Sequence, residues 1–214
     1  MTDHLVLALD TATVVNVGLA RGSQVLAEAT VADRMAHAEQ LMPLVADTLA
    51  RAGVRVADLD QIVVGLGPGP FTGLRVGVVT AQMLATVVGI PLRGVCSLDV
   101  LAAEYATAGA IGEFVVATDA RRREVYWAGY AADGNRLSGP AVDRPDAVPR
   151  LPTVGPAGDL YPEQLQVVPG PRRLDPGVMA VHGPALPDAG GEPLYLRRPD
   201  ATEPSRPKSV LHAR

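Results

Sequence analysis

The first hundred residues switch between short apolar runs and longer stretches with a three-to-four-residue rhythm. "LVLAL" (5–9) reads as a buried strand ending at Asp10, and "VVNVGLA" (14–20) and "QVLAEATV" (24–31) read as two more strands. The "RGSQ" between the last two suits a hairpin turn. Residues 36–52 carry helical spacing, with Gly53 placed as a C-cap. Pro43 inside that stretch requires either a late helix start or a kink. Then come a strand at 60–66, a helix at 71–88, a short strand at 90–95 and a helix at 97–106 with Ser97 as its N-cap. Three consecutive strands followed by alternating helices and strands predict an α/β lobe of ribonuclease-H-like order, because a Rossmann sheet would alternate from the start.

A second lobe opens at "EFVVATDA" (113–120), with "EVYWAGY" (124–130) as its next strand. Asp10 and Asp119 hold the same place in the two halves, which reads as a weak internal duplication. Of the 19 prolines, 15 follow residue 139, so only short strands and helices are expected there. The predicted organisation is a lobe at 1–108, a smaller and irregular lobe at 109–198, and a flexible tail at 199–214.

Composition narrows the function. The 214 residues suit one medium domain or two small lobes. Aromatics are 4% of the chain, so the core must be built from Ala, Val and Leu. A net charge of −4 argues against a chain that grips nucleic acid alone. The lone Cys96 excludes an internal disulfide and reads as a small buried apolar group. No signal-peptide pattern opens the chain, and the uncharged run 76–92 holds Gln82, two threonines and two glycines. A cytoplasmic protein without a membrane span is the expectation.

The stretch "GLGPGPFTGLRVG" (65–77) joins a strand to a helix, as phosphate-binding loops do. It lacks the Gly-Lys-Ser/Thr ending of a P-loop, and Pro70 stands where a dinucleotide loop needs its last glycine. Pro68 and Pro70 also remove two backbone donors. In the following helix Gly73, Gly77, Ala81 and Ala85 form a ridge of small residues, while Leu74, Val76, Val78, Val79, Met83, Leu84, Val87 and Val88 cover the other sides. Such a helix is either a core helix packed by the second lobe or part of a subunit interface. Arg75 sits in the first turn, where the helix dipole disfavours a cation. Asp10, Asp119 or a partner's glutamate would offset this; otherwise Arg75 is simply solvated.

"LALDTAT" (7–13), "HAEQLMP" (37–43), "GPGPFTGLRVG" (67–77), "DARRREVYWAGY" (119–130) and "PLYLR" (193–197) occur in the order in which the TsaB (YeaZ) family carries similar motifs, and the chain resembles that family over nearly its whole length. The resemblance implies two ribonuclease-H-like/actin-like (ASKHA) lobes and a role in forming N6-threonylcarbamoyladenosine beside the anticodon of tRNA. It implies a non-catalytic subunit that pairs through its first two helices with a TsaD-type catalytic paralogue, is joined by a TsaE-type ATPase, and forms a homodimer when alone. The interface so implied comprises His37, Leu41, Val45, Leu49, Thr72, Gly73, Arg75, Val76, Gly77, Thr80, Ala81 and Leu84. Asp10, Thr11, Gly67, Gly69, Asp119 and Arg121 would line a ligand or interlobe cleft. No cofactor is expected on this chain; ATP and a metal belong on the partner subunits, and tRNA is met only through the complex.

Local chemistry bears on that resemblance. The catalytic paralogues carry His-x-x-x-His on the first helix as metal ligands; here Leu41 follows His37 and one ligand is missing. Asp10-Thr11-Ala12-Thr13 lacks the glycine of the actin-type phosphate hairpin. Pro70 stands where the family usually has serine. Arg121, Arg122 and Arg123 form a basic cluster that is either solvated or turned to tRNA or an acidic partner face. The rival reading is an independent ATP-dependent kinase or ATPase, or a nuclease using Asp10, Asp119 and Glu28 as metal carboxylates.

Overall fold

The computed structural model describes residues 3–31 and 37–197. The first sheet contains β1 (Leu5–Asp10), β2 (Val15–Arg21), β3 (Gln24–Val31), β4 (Gln61–Gly65) and β5 (Leu92–Val95), in the order β3-β2-β1-β4-β5. The first three pair antiparallel, whereas β4 runs parallel to β1 and β5 parallel to β4. Between these strands lie α1 (His37–Arg51), which runs through Pro43 without dividing, and α2 (Phe71–Val88). α3 (Ser97–Thr107) leads into the second sheet.

That sheet contains β6 (Phe114–Asp119), β7 (Val125–Tyr130), β8 (Arg136–Asp143) and β9 (Thr153–Val154), in the order β8-β7-β6-β9. Strands β6, β7 and β8 are antiparallel neighbours, and β9 is parallel to β6. The order and directions repeat those of β3-β2-β1-β4, with Asp10 ending β1 and Asp119 ending β6. This is the α/β architecture of two ribonuclease-H-like/actin-like sheets. β8, longer than the proline content suggested, accommodates Pro140 because it is an edge strand with one side free of ladder bonds. Two short helices complete the described chain: α4 (Ala157–Leu160) and α5 (Pro176–His182).

The period-two pleat of β1 explains the layering. Leu5, Leu7 and Leu9 join Leu41, Val45 and Leu49 of α1 and Val78, Ala81 and Leu84 of α2 in one core cluster. Val6 and Ala8 face the other way and meet Met179 and Ala180 of α5. Residues 174–186, which fall in the expected second lobe by their place in the chain, thus pack against the first sheet. Gly18 of β2 permits this approach: a Cβ there would lie 1.9 Å from the Pro176 carbonyl oxygen. α3 covers the second sheet, its Leu98, Leu101 and Ala102 clustering with Phe114, Val116 and Tyr130. The expected tail, 199–214, lies outside the described residues.

Candidate functional site

Two features of this fold stand out: the outer side of α2 and a cleft between the two sheets. α2 follows its sequence rhythm. Gly73, Leu74, Gly77, Val78, Ala81, Leu84 and Ala85 face inward. The ridge of small residues therefore serves the chain's own packing. The Thr11 hydroxyl donates to the Gly73 carbonyl at 2.8 Å, and a Cβ on Gly77 would lie 2.3 Å from Thr11 Oγ1. Leu41, Val45 and Leu49 are likewise buried beneath α1. Seven residues of the expected interface, namely Leu41, Val45, Leu49, Gly73, Gly77, Ala81 and Leu84, are in that position and cannot touch a partner without rearrangement. Of the others, Thr72 and Arg75 are exposed and Val76 and Thr80 half-buried. His37 opens α1, but its side chain falls outside the described residues.

What α2 does present is a second four-residue series, on the opposite side of the helix from the small ridge: Phe71, Arg75, Val79, Met83 and Val87. Val79 and Met83 are each 57% exposed and Val87 is 79% exposed, with Met42 of α1 also exposed. By length and composition α2 could cross a membrane, but its inward face is packed on β1 and β4. It is a core helix with one uncovered apolar side. Arg75 pairs with neither Asp10 nor Asp119; its guanidinium lies 4.4 Å from the centroid of Phe71, a cation–π contact that offsets the dipole penalty. Phe71 in turn meets Tyr195, ring centroids 4.8 Å apart.

The glycine-proline turn before α2 is held from three sides. Asp10 is 1% exposed, and its two oxygens accept from Ser97 Oγ at 2.5 Å and from the Ala12 amide at 2.9 Å. Burial raises its pKa, partly countered by these bonds. Ser97 Oγ also accepts from the Gly67 amide at 3.1 Å, and the Ser97 amide donates to the Gly67 carbonyl at 2.8 Å. Ser97 is therefore not the cap of α3; that position belongs to Cys96, and the serine side chain ties β1 to the turn. A Cβ on Gly69 would sit 2.6 Å from the Ala12 carbonyl oxygen, so the loop lies tight against the β1–β2 turn. Its geometry is that of a helix-positioning turn.

The cleft has a volume of about 710 Å³ and lies between the ends of β1 and β6. Of the residues named for a ligand or interlobe cleft, Asp10, Gly69, Asp119 and Arg121 line it, whereas Thr11 and Gly67 do not. Asp119 Oδ1 accepts from the Arg121 amide at 2.8 Å, matching the Asp10–Ala12 bond of the first sheet. Arg121, Arg122 and Arg123 follow with φ of 60°, 55° and 61°. Three L-residues in the left-handed region cost on the order of 1 kcal/mol each, and the turn closes through Ala120 N–H to Glu124 O at 3.0 Å. The segment at 193–197 crosses the cleft edge: the Leu194 amide donates to Leu66 O at 2.8 Å, and Arg197 donates to Ala120 O at 2.9 Å and pairs with Glu124. Phe71–Tyr195 and Arg197–Glu124 join residues more than seventy positions apart, so no local sequence signal could have revealed them. The 71/75/79/83/87 spacing was readable.

The carboxylates named for metal chemistry do not gather. Glu28 lies on β3 beside Gly18 and lines a separate depression with Arg51, Asp175 and His182. Among the described residues no group of three His, Cys, Asp or Glu side chains is placed to hold a metal ion. Cys96 is enclosed, and burial pushes its thiol up to about 12.

Strand order, the paired aspartates and the two-sheet cleft define a duplicated ribonuclease-H-like protein of the actin type. Residues 24–171 match the family described as TsaD: tRNA N6-adenosine threonylcarbamoyltransferase. An uncharacterized protein of Mycobacterium tuberculosis is 47% identical over 202 residues, covering 92% of this chain and 93% of that protein. The tRNA threonylcarbamoyladenosine biosynthesis protein TsaB of Escherichia coli is 37% identical over 133 residues, covering 62% of this chain and 57% of TsaB. The solved structure of YeaZ from Pseudomonas aeruginosa superposes with a TM-score of 0.73 at 28% identity, covering 90% of this chain and all of that one. The chain belongs to the TsaB (YeaZ) family.

Proposed function

We propose that this chain is a non-catalytic subunit of the assembly that forms N6-threonylcarbamoyladenosine on tRNA, and that it holds a TsaD-type catalytic paralogue in its active arrangement. The observation that carries the reading is the apolar series Phe71, Val79, Met83 and Val87 along α2, left uncovered by the chain's own fold. The names of the relatives supply the pathway, and the unassembled carboxylates favour a supporting role over chemistry. In this reading a TsaE-type ATPase joins the pair, and ATP and metal sit on the partner subunits. tRNA is met only by the assembled complex in the cytoplasm, and the same side of α2 closes a homodimer when the chain is alone.

The test combines reconstitution and docking. Modification of tRNA by the purified partner subunits should require this chain. Val79→Glu with Met83→Glu should leave the fold intact, since both side chains point outward. Burial of such side chains contributes about 1–2 kcal/mol each at this exposure, so the pair should weaken association at least roughly 30-fold. Unchanged co-elution of the double variant with the TsaD-type subunit would refute the docking face. Turnover of Mg-ATP by the isolated chain would point instead to the independent enzyme.

A further inference from the structure

The β6–β7 turn puts arginine where the fold gains nothing from it. Arg121, Arg122 and Arg123 are exposed, so none of them fills a core. All three have positive φ, a region in which glycine and asparagine are the favoured residues. Ala120 is buried, and the turn shows no apolar side chain to solvent. Its backbone is nevertheless fixed. Asp119 holds the Arg121 amide, the Glu124 amide donates to Arg121 O at 3.0 Å, and Arg197 anchors both Ala120 O and the Glu124 carboxylate. Cationic side chains are thus presented on a rigid base.

Further arginines stand at the same end of the second sheet. Asp143 pairs with Val125, so Arg144, also exposed, begins beside the foot of the turn. Arg173 is exposed and borders the interlobe cavity together with Arg121. Most carboxylates nearby are engaged. Glu124 is paired with Arg197, Asp143 accepts from Trp127 Nε1 at 2.9 Å, and Asp159 lies 3.6 Å from Arg172. Asp146, just after Arg144, is exposed. Among the described residues, the guanidinium groups of Arg121, Arg123, Arg144 and Arg173 make no ion pair or hydrogen bond. A chain of net charge −4 therefore carries a local cationic surface here.

We propose that, within the assembly, this end of the second sheet meets the phosphodiester backbone of the tRNA. The planar guanidinium offers paired N–H donors that match two phosphate oxygens. Exposed arginines on a fixed backbone, with no apolar centre among them, suit a phosphate strand better than a protein face, whose core is apolar and depleted of charge. The outer side of α2 has that apolar character and the turn does not. A few cations cannot hold RNA against the net charge of the whole chain, so the contact adds to binding by the other subunits and does not replace it. The inference rests on the subunit reading above and adds the surface by which this chain touches the tRNA.

The test measures binding of fluorescently labelled tRNA by the complete assembly, this chain with its partner subunits, over a range of salt concentrations. Arg121→Asn with Arg123→Asn removes two charges, and asparagine tolerates the positive φ at both positions. Each phosphate contact contributes about 0.7–0.9 to the slope of log K against log salt. The double variant should therefore flatten the slope by about 1.4–1.8 and weaken binding at least about tenfold at roughly 0.1 M salt. It should melt no lower than the parent chain and co-elute with the partner subunits as the parent does. Arg21 and Arg150 are exposed at the opposite ends of the two sheets, beside the starts of β1 and β6. Arg21→Gln with Arg150→Gln makes the same change in charge and should leave the slope unaltered. An unchanged slope in the first variant, or an equal drop in the second, would overturn the proposal. So would loss of co-elution in the first variant, which would assign the turn to an acidic face of a partner. If the parent chain itself does not co-elute with the partner subunits, the subunit reading falls and takes this proposal with it, an outcome distinct from an assembly that forms and binds tRNA without the turn.

Discussion

Gly77→Ala offers a sharp test of which way α2 faces. The substitution adds one methyl group to a helix, and in an exposed helix it should stabilise by about 1 kcal/mol through propensity alone. Here the new Cβ would lie 2.3 Å from Thr11 Oγ1 and 3.3 Å from the Cβ and Cγ2 of the same residue. Thr11 is buried, and its hydroxyl donates to Gly73 O across the contact, so it has little room to turn away. Overpacking of this kind costs about 1–3 kcal/mol. Displacing the Thr11 hydrogen bond adds about 1 kcal/mol. After subtracting the propensity gain, the net loss is roughly 1–3 kcal/mol, or a fall in melting temperature of roughly 3–10 °C for a chain of this size. Thr11→Ala removes the offending oxygen and methyl together. In that background Gly77→Ala should be neutral or stabilising, giving a coupling energy of about 2 kcal/mol in a double-mutant cycle followed by urea denaturation. If Gly77→Ala melts at or above the parent chain, or if the two substitutions simply add, the small ridge does not pack on the β1–β2 turn. It would then be free for a partner after all. A larger side chain at 77 would meet the same contact, so substitutions there damage the fold before they could test any interface.

Two further predictions concern titratable groups. Burial, with Asp175 nearby, lifts Glu104 of α3 from 4.5 to about 7, and its Oε2 is enclosed without a partner. Because the folded value lies above the unfolded one, the contribution is complete below about pH 4.5 and is lost as pH rises through about 7. Stability should therefore decline between these values, and Glu104→Gln should flatten that slope in urea titrations at several pH values; an unchanged slope would rule the assignment out. Cys96, with its thiol pushed up to about 12 and its side chain enclosed, should resist iodoacetamide at neutral pH in the native chain and react once urea unfolds it. Rapid labelling of the folded protein would contradict the packing of α3.

Much of the first sheet and its helices was legible because the rhythms are local. The unbroken apolar run in "LVLALD" reports a strand buried on both faces, and α2 spans the residues its periodicity indicates. The orientation of α2 was harder. A glycine-alanine ridge says that something approaches closely, but not whether it is Thr11, some 60 residues away, or another molecule. The answer lies in the complementary series 71/75/79/83/87, whose apolar members remain exposed. α5 was missed for a related reason. Seven residues beginning with proline make a weak helical signal, and nothing local announces that Met179 crosses back to Val6 and Ala8. Ser97 shows how local rules mislead: serine before a helix suggests a cap, but a buried carboxylate on β1 competes for the same hydroxyl and takes it.

The same long-range ties explain why motif segments so far apart in the chain occur together. Thr11 binds Gly73, and Ala12 lies against Gly69, joining the first segment to the turn before α2. Leu194 binds Leu66, and Tyr195 stacks on Phe71, bringing the last segment to the same turn. Arg197 then reaches Ala120 and Glu124, attaching the β6–β7 turn. These residues use their polar groups on one another, leaving few of them for catalysis, and the result is a fixed starting point for α2. Phe71 belongs both to this tied region and to the exposed apolar series. A partner seated on α2 would therefore press on the segment that ties the turn before α2 to residues 193–197.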